Sequence, residues 1–134
     1  MIPDSHKDLL ENAYPATVGT TMPDGQPQLT VIWTLYEGDV IKFSTREPSQ
    51  KVDNLKQRPQ ITLMIIDPEN MYRYLEVRGR AAITQEGAID LIDRLAQKYM
   101  GRGYYDNMDP DRAQADRDQR VVVTIKPEHV VANG

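Results

Sequence analysis

The sequence contains no cysteine, which removes disulfides, thiolate metal sites and a cysteine nucleophile together. Histidine is almost as scarce. His6 and His129 are the only 2, and they lie near opposite ends of the chain, too few for a multi-histidine metal site or a nucleophile–histidine–acid triad. No apolar run approaches the roughly 20 residues that a bilayer span requires. The opening MIPDSHKDLL lacks the basic-then-apolar order of a secretory signal, so a cytoplasmic location is expected. Positive charge is in the minority, with 16 Lys plus Arg against 20 Asp plus Glu and a formal net charge of −4. That balance argues against sequence-blind binding to nucleic acid or to an anionic membrane, so any basic patch must be local.

What is present suffices for one folded unit. A chain of 134 residues that is 40% apolar can bury a core of its own, and we take residues 1–134 as a single domain. Ser5 is a candidate cap for a short amphipathic helix carrying Leu9, Leu10 and Ala13, ended by Tyr14-Pro15. From Ala16 to Thr45, β-branched and aromatic runs are separated by Pro23-Asp24-Gly25 and Glu37-Gly38-Asp39, the pattern of a three-strand antiparallel meander. Ser49 is a candidate N-cap for a second short helix, with Val52 and Leu55 facing inward and Pro59 stopping it. ITLMIID has the length of a buried strand. In YRYLEVRGRAAI, Leu75, Val77, Gly79, Ala81 and Ile83 alternate with Tyr72, Tyr74, Glu76, Arg78 and Arg80, giving one packed face and one polar, aromatic face.

Thr84 is a candidate cap for a longer helix with a stripe of Ala88, Leu91, Ile92, Leu95 and Tyr99, closed by Gly101. Residues 102–120 are the most polar stretch and read as a long loop or partly helical excursion, followed by a last strand in RVVVTIKPEHV. The sum is a mainly β, α+β chain: a six-stranded antiparallel sheet curled into a small barrel with flanking helices.

The stretch STREPSQKVDNLKQRP concentrates positive charge in this acidic chain, at Arg46, Lys51, Lys56 and Arg58. With Ser49 as N-cap, Lys51 falls at the second helical position, where the partial positive charge of the terminus disfavours a cation. Two readings fit this broken local rule. Either Lys51 pairs with Glu47 or Asp53 on a solvated turn, or an anion such as phosphate is bound there by backbone N–H groups, the Ser49 hydroxyl and the Lys51 ammonium.

FSTREPSQKVDNLKQRPQITLMIID, preceded by PQLTVIWTLYEGDVIKF and followed by YRYLEVRGRAAI and RVVVTIKPEHV, resembles the pyridoxamine 5′-phosphate oxidase-like (FMN-binding) split β-barrel. Within that superfamily it is most similar to the small flavin- and deazaflavin-dependent oxidoreductases whose usual cofactor is coenzyme F-420. The resemblance runs from about Ala16 to Val130, and its most specific part is the strand ending FST followed by Ser-x-Lys. It implies a homodimer with the cofactor at the subunit interface. It also implies that Ser49, Gln50 and Lys51 hold the cofactor phosphate and that Thr30, Val31, Ile32, Trp33, Ser44 and Thr45 line the ring. Arg46, just past the strand, reads as a further phosphate contact or as a solvated loop residue. The implied activity is hydride transfer between reduced F-420 and a small unsaturated molecule such as an enone, quinone or linear tetrapyrrole. FMN is the alternative cofactor, and a non-catalytic flavin or F-420 binding protein is the alternative role. Gln50 stands where the pyridoxamine phosphate oxidases commonly carry arginine, and their tryptophan and arginine substrate signature is absent, which points away from vitamin B6 oxidation.

Other candidates are weaker. Asn54 reads as surface polarity on the short helix, and Tyr104 and Tyr105 as a rim over the site or as loop packing. Asp106, Asp109 and Asp111 have the wrong spacing for a calcium loop and lack its glycine and terminal glutamate. His129 reads as a surface residue on the last strand.

Overall fold

The computed structural model describes residues 1–134. A 3₁₀ turn at Asp4–His6 leads into α1 (Lys7–Glu11). The chain continues through β1 (Ala16–Thr21), β2 (Pro27–Ile32), β3 (Leu35–Glu37), β4 (Val40–Arg46) and α2 (Gln50–Gln57). It ends with β5 (Gln60–Asp67), β6 (Asn70–Thr84), α3 (Ala88–Met100), α4 (Pro110–Gln119) and β7 (Arg120–Asn133). The strands form one antiparallel sheet in the order β2-β1-β5-β6-β7-β4-β3, a split barrel of the expected mostly β, α+β class. No helix is long and apolar enough to cross a membrane.

The strand count is 7 rather than six because PQLTVIWTLY does not run straight. It breaks at Trp33-Thr34, so β2 pairs with β1 while β3 pairs with β4 at the far edge of the sheet. The expected three-strand meander is therefore divided between the two edges. Thr34 is fully buried at this break, where no neighbouring strand serves its backbone. Side chains of α3 serve it instead: its N–H donates to the Tyr99 hydroxyl (3.1 Å) and its carbonyl accepts from Lys98 Nζ (2.7 Å). Tyr99 in turn donates to the Tyr14 carbonyl (2.8 Å) and Lys98 to the Leu10 carbonyl (2.6 Å), tying α1 to the same point.

The barrel interior holds Leu9, Leu10, Ile41, Phe43, Leu63, Ile65, Leu75, Val77 and Ile125, all fully buried. The alternation expected for β6 holds, with Leu75, Val77 and Gly79 inward. A second, smaller cluster of Ala88, Leu91, Leu95 and Val122 packs α3 on the sheet beside Trp33, Leu35 and Tyr99, and Gly101 ends the helix with φ 72° as expected. Opposite Gly79 the β6–β7 register slips: Arg78 faces His129 but Gly79 faces Pro127, leaving Glu128 as the extra residue of a bulge. The bulge accommodates a proline inside a strand, and Gly79 is required because a Cβ there would overlap the Lys126 carbonyl oxygen.

Two expected caps are displaced. Ser5 lies inside the 3₁₀ turn, where its Oγ bonds His6 Nδ1 (2.8 Å) while the buried His6 reaches the Asn133 carbonyl through Nε2 (2.8 Å). Thr84 accepts from the Glu86 N–H (3.1 Å), one turn too early, and Gly87 with φ 77° caps α3. The 102–120 excursion is helical over its second half. Asp109 caps α4 by accepting from the Arg112 N–H (3.1 Å), with Pro110 at the first helical position.

Candidate functional site

At the start of α2 the local chemistry follows the sequence. Ser49 is the N-cap, its Oγ accepting from the Val52 N–H at 3.2 Å, so Gln50 and Lys51 occupy the first two helical positions, whose N–H groups have no acceptor within the helix. The ion-pair reading of Lys51 does not hold. Glu47 is taken by Lys56, and neither Glu47 nor Asp53 lies within ion-pair distance of Lys51. The Lys51 ammonium rests instead over the Phe43 ring, 5.6 Å from its centroid, and burial alone lowers its pKa from the usual lysine value. Lys51 is thus a half-buried cation with no anionic partner, at a helix terminus that disfavours it.

Lys51 opens onto a cavity of about 230 Å³ that is also lined by Val31 and Ile32 from the end of β2, Trp33 just beyond it, and Ser44 from β4. Five of the expected site residues therefore share one space, although they come from three separate elements. Trp33 has one ring face covered by Tyr99, stacked at a centroid distance of 5.2 Å. The far wall consists of Tyr104, which the sequence offered as a rim residue, and of residues that sequence reasoning did not include: Ile92 and Leu95 from α3, and Arg120 at the start of β7.

Arg120 is 8% exposed and held by Asp116 through Nε to Oδ1 (2.7 Å) and NH2 to Oδ2 (3.2 Å). Its NH2 also donates to the Tyr104 hydroxyl (2.7 Å), and NH1 approaches Ser44 Oγ (3.4 Å). Tyr105 donates to Asp116 Oδ1 (2.8 Å). Burial pushes the Asp116 carboxyl up, but the hydrogen bonds from Arg120 and Tyr105 outweigh it and hold it below the usual range. Burial, then the bond to Asp116, pushes the Tyr105 phenol up to about 12. Tyr104 and Tyr105 are thus fastened to the site wall by a buried ion pair, beyond ordinary loop packing.

The remaining expected residues do not line the cavity. Ser49 and Gln50 contribute the helix terminus, but the Gln50 side chain is turned away to Asn54 Oδ1 (2.8 Å). Arg46 is largely exposed and points to Asp116 Oδ2 (3.8 Å) rather than to α2. Thr45 faces β7, opposite Val121. Thr30 faces Val18 of β1, with its hydroxyl buried and unpaired.

Asn54 corrects the surface reading. It is fully buried, donates to Thr20 Oγ1 (3.0 Å) and Met22 Sδ (3.4 Å), and accepts from Gln50 and from Arg58 (3.4 Å). It anchors the base of α2 to β1. The readable trace of the far wall was the i,i+4 spacing of Asp116 and Arg120. Nothing local in the sequence signals that this pair turns toward Ser44, 76 residues away from Arg120.

No match is found among the curated proteins. A solved structure described as an F420 reductase is 31% identical, with a TM-score of 0.83 over 97% of this chain and 98% of its own. A conserved hypothetical protein from Mycobacterium tuberculosis is 25% identical, with a TM-score of 0.80 over 99% of this chain and 85% of its own. The fold is also shared by a putative pyridoxamine 5′-phosphate oxidase from Listeria innocua, 18% identical with a TM-score of 0.71 over 96% and 95% of the two chains. The family model for pyridoxamine 5′-phosphate oxidase matches residues 2–133, nearly every residue of the barrel just described. The chain belongs to that family.

Proposed function

We propose that the protein is an F-420-dependent oxidoreductase that binds its deazaflavin in the Lys51 cavity and reduces a small unsaturated organic molecule. The observation that carries this reading is Lys51, half-buried and without a carboxylate at the α2 terminus. The residues suit a phosphorylated, ring-bearing cofactor: a cation and free N–H groups for a phosphate at α2, and apolar Val31, Ile32, Ile92 and Leu95 for a flat body. When bound, such a cofactor supplies a hydride, and the chain supplies orientation, the phosphate anchor and exclusion of water. The F420 reductase neighbour supports the choice of deazaflavin over FMN.

The reading includes a homodimer. Leu29 and Val31 are 66% and 69% exposed on the outer face of the sheet and, with Ile66, edge an apolar groove of about 490 Å³ over β2, β1 and β5. Val31 borders both this groove and the Lys51 cavity, so a second copy covering the groove reaches the cofactor site. Large exposed apolar faces of this kind mark interaction surfaces.

Calorimetric titration with F-420 and with FMN, followed by oxidation of reduced F-420 in the presence of a panel of enones, quinones and tetrapyrroles, tests the function. Tighter binding of F-420 and turnover of one panel member are expected. Tighter binding of FMN would reassign the cofactor, and binding without any turnover would make this a carrier. Val31→Glu is expected to give a monomer in sedimentation with weakened F-420 binding, and a variant that stays dimeric would displace the proposed interface.

A further inference from the structure

Arg120 carries capacity that the phosphate anchor does not use. A guanidinium has five N–H groups in a fixed fork. Here Nε serves Asp116, NH2 serves both Asp116 and Tyr104, and NH1 meets only Ser44 Oγ, at 3.4 Å. Buried donors are nearly always paired, yet Arg120 lines the cavity with one NH1 hydrogen that has no acceptor from the protein. The fork cannot swing to find one, because Asp116 grips it at two points and the Tyr104 ring lies 4.8 Å from its centre. Asp116 also neutralises it, so the unpaired charge in the cavity belongs to Lys51 alone. Lys51 suits a phosphate; Arg120 suits a directional contact to an oxygen with little net charge.

We propose that Arg120 NH1, together with the Ser44 hydroxyl, binds a ring carbonyl oxygen of the ligand whose phosphate Lys51 takes, and that Asp116 is the positioning residue that aims it. This rests on the cofactor reading above and adds a second, ring-end anchor from β7 and β4. Together the two anchors make the cavity selective for molecules that present a phosphate and a carbonyl edge at the right separation.

The test separates ring from phosphate. Dissociation constants are measured for FMN and riboflavin, and for F-420 and its phosphate-free head group 8-hydroxy-5-deazariboflavin, with wild type, Arg120→Lys, Ser44→Ala and Lys51→Ala. Arg120→Lys is expected to weaken phosphate-free and phosphorylated probes alike, by about tenfold for one lost hydrogen bond to a charged donor. Ser44→Ala, which leaves the Arg120–Asp116 pair whole and guards against misfolding of the arginine variant, is expected to weaken them in the same pattern. Lys51→Ala is expected to weaken only the phosphorylated probes. In Asp116→Asn the carbonyl stretching band of bound riboflavin is expected to rise in frequency, a signal that a purely structural role would not move. Loss confined to FMN and F-420 in Arg120→Lys would make Arg120 a phosphate ligand and overturn the proposal. Unchanged constants for all four probes in both Arg120→Lys and Ser44→Ala would overturn it while leaving the cofactor reading intact. If wild type binds none of the probes, the cofactor reading itself falls, and this inference falls with it.

Discussion

Replacing Lys51 with glutamine is expected to stabilise the ligand-free protein and weaken the ligand-bound one. Without ligand, Lys51 is a cation in the first turn of α2, half removed from water and paired with no carboxylate. A misplaced charge at a helix terminus is worth about 0.3–1 kcal/mol, so the variant should melt about 1–4 °C higher. With ligand, loss of a charge-assisted bond to phosphate costs about 1.5–3 kcal/mol, or about 10- to 100-fold in Kd. At a ligand concentration of about 100 times the wild-type Kd, wild type gains about 2.7 kcal/mol, and a variant binding about 30-fold more weakly gains about 0.9. The order of melting temperatures therefore reverses on adding ligand. The pH dependence has a definite sign: the lysine pKa is lowered on folding, so its penalty is present at neutral pH and fades as pH rises through that lowered value. The stability gap between variant and wild type should close on the alkaline side. Thermal melts with and without F-420, across pH, check all of this. A ligand-free variant that melts below wild type, or an unchanged Kd, would refute the reasoning.

Other perturbations follow from the same structure. Gly79→Ala forces a Cβ into the Lys126 carbonyl and should cost about 1–3 kcal/mol in chemical denaturation, with the bulge amides of β7 losing exchange protection first. Asn54→Ala strips Gln50 and Arg58 of an acceptor and Thr20 of a donor inside a closed network, so a loss of about 1–3 kcal/mol is expected by urea unfolding. Lys98, lowered to about 8 by burial, binds fewer protons folded than unfolded between about pH 8 and the ordinary lysine value. Wild type should therefore gain stability relative to Lys98→Gln as pH rises across that window, and a flat difference would show that the amine is not held as described.

What could be read from the sequence was whatever depends on near neighbours. Ser49, the Lys51 anomaly, the α3 stripe and the alternation of β6 each rest on spacings of a few residues, and each stands in the structure. Asn54 defeated such reading because its polarity is satisfied by Thr20 and Met22, over thirty positions back, so a polar residue on a short helix gave no sign of burial. The strand break at Trp33-Thr34 was hidden by composition: WTLY has the β-branched and aromatic character of a continuing strand. Only the satisfaction of Thr34 by Lys98 and Tyr99 shows why the chain turns there. The site's near wall was legible from the family pattern around Ser-x-Lys, whereas its far wall depends on α4 delivering Asp116 to Arg120.

The break at Trp33-Thr34 also decides how the barrel can breathe. The two edge strands of the sheet are consecutive in the chain, yet no backbone ladder joins them. Two side chains of α3 stitch the seam, and the end of β2 that leads into it forms one lip of the Lys51 cavity. On its other side that lip is held by the β1 ladder, where Val31 pairs with Thr17 and Ile32 with Ala16. A ligand touching Val31 and Trp33 on one side and Ser44 and Arg120 on the other spans the seam as a rivet. Its arrival should slow amide exchange across β2, β3 and the end of α3 together, far beyond the residues it contacts.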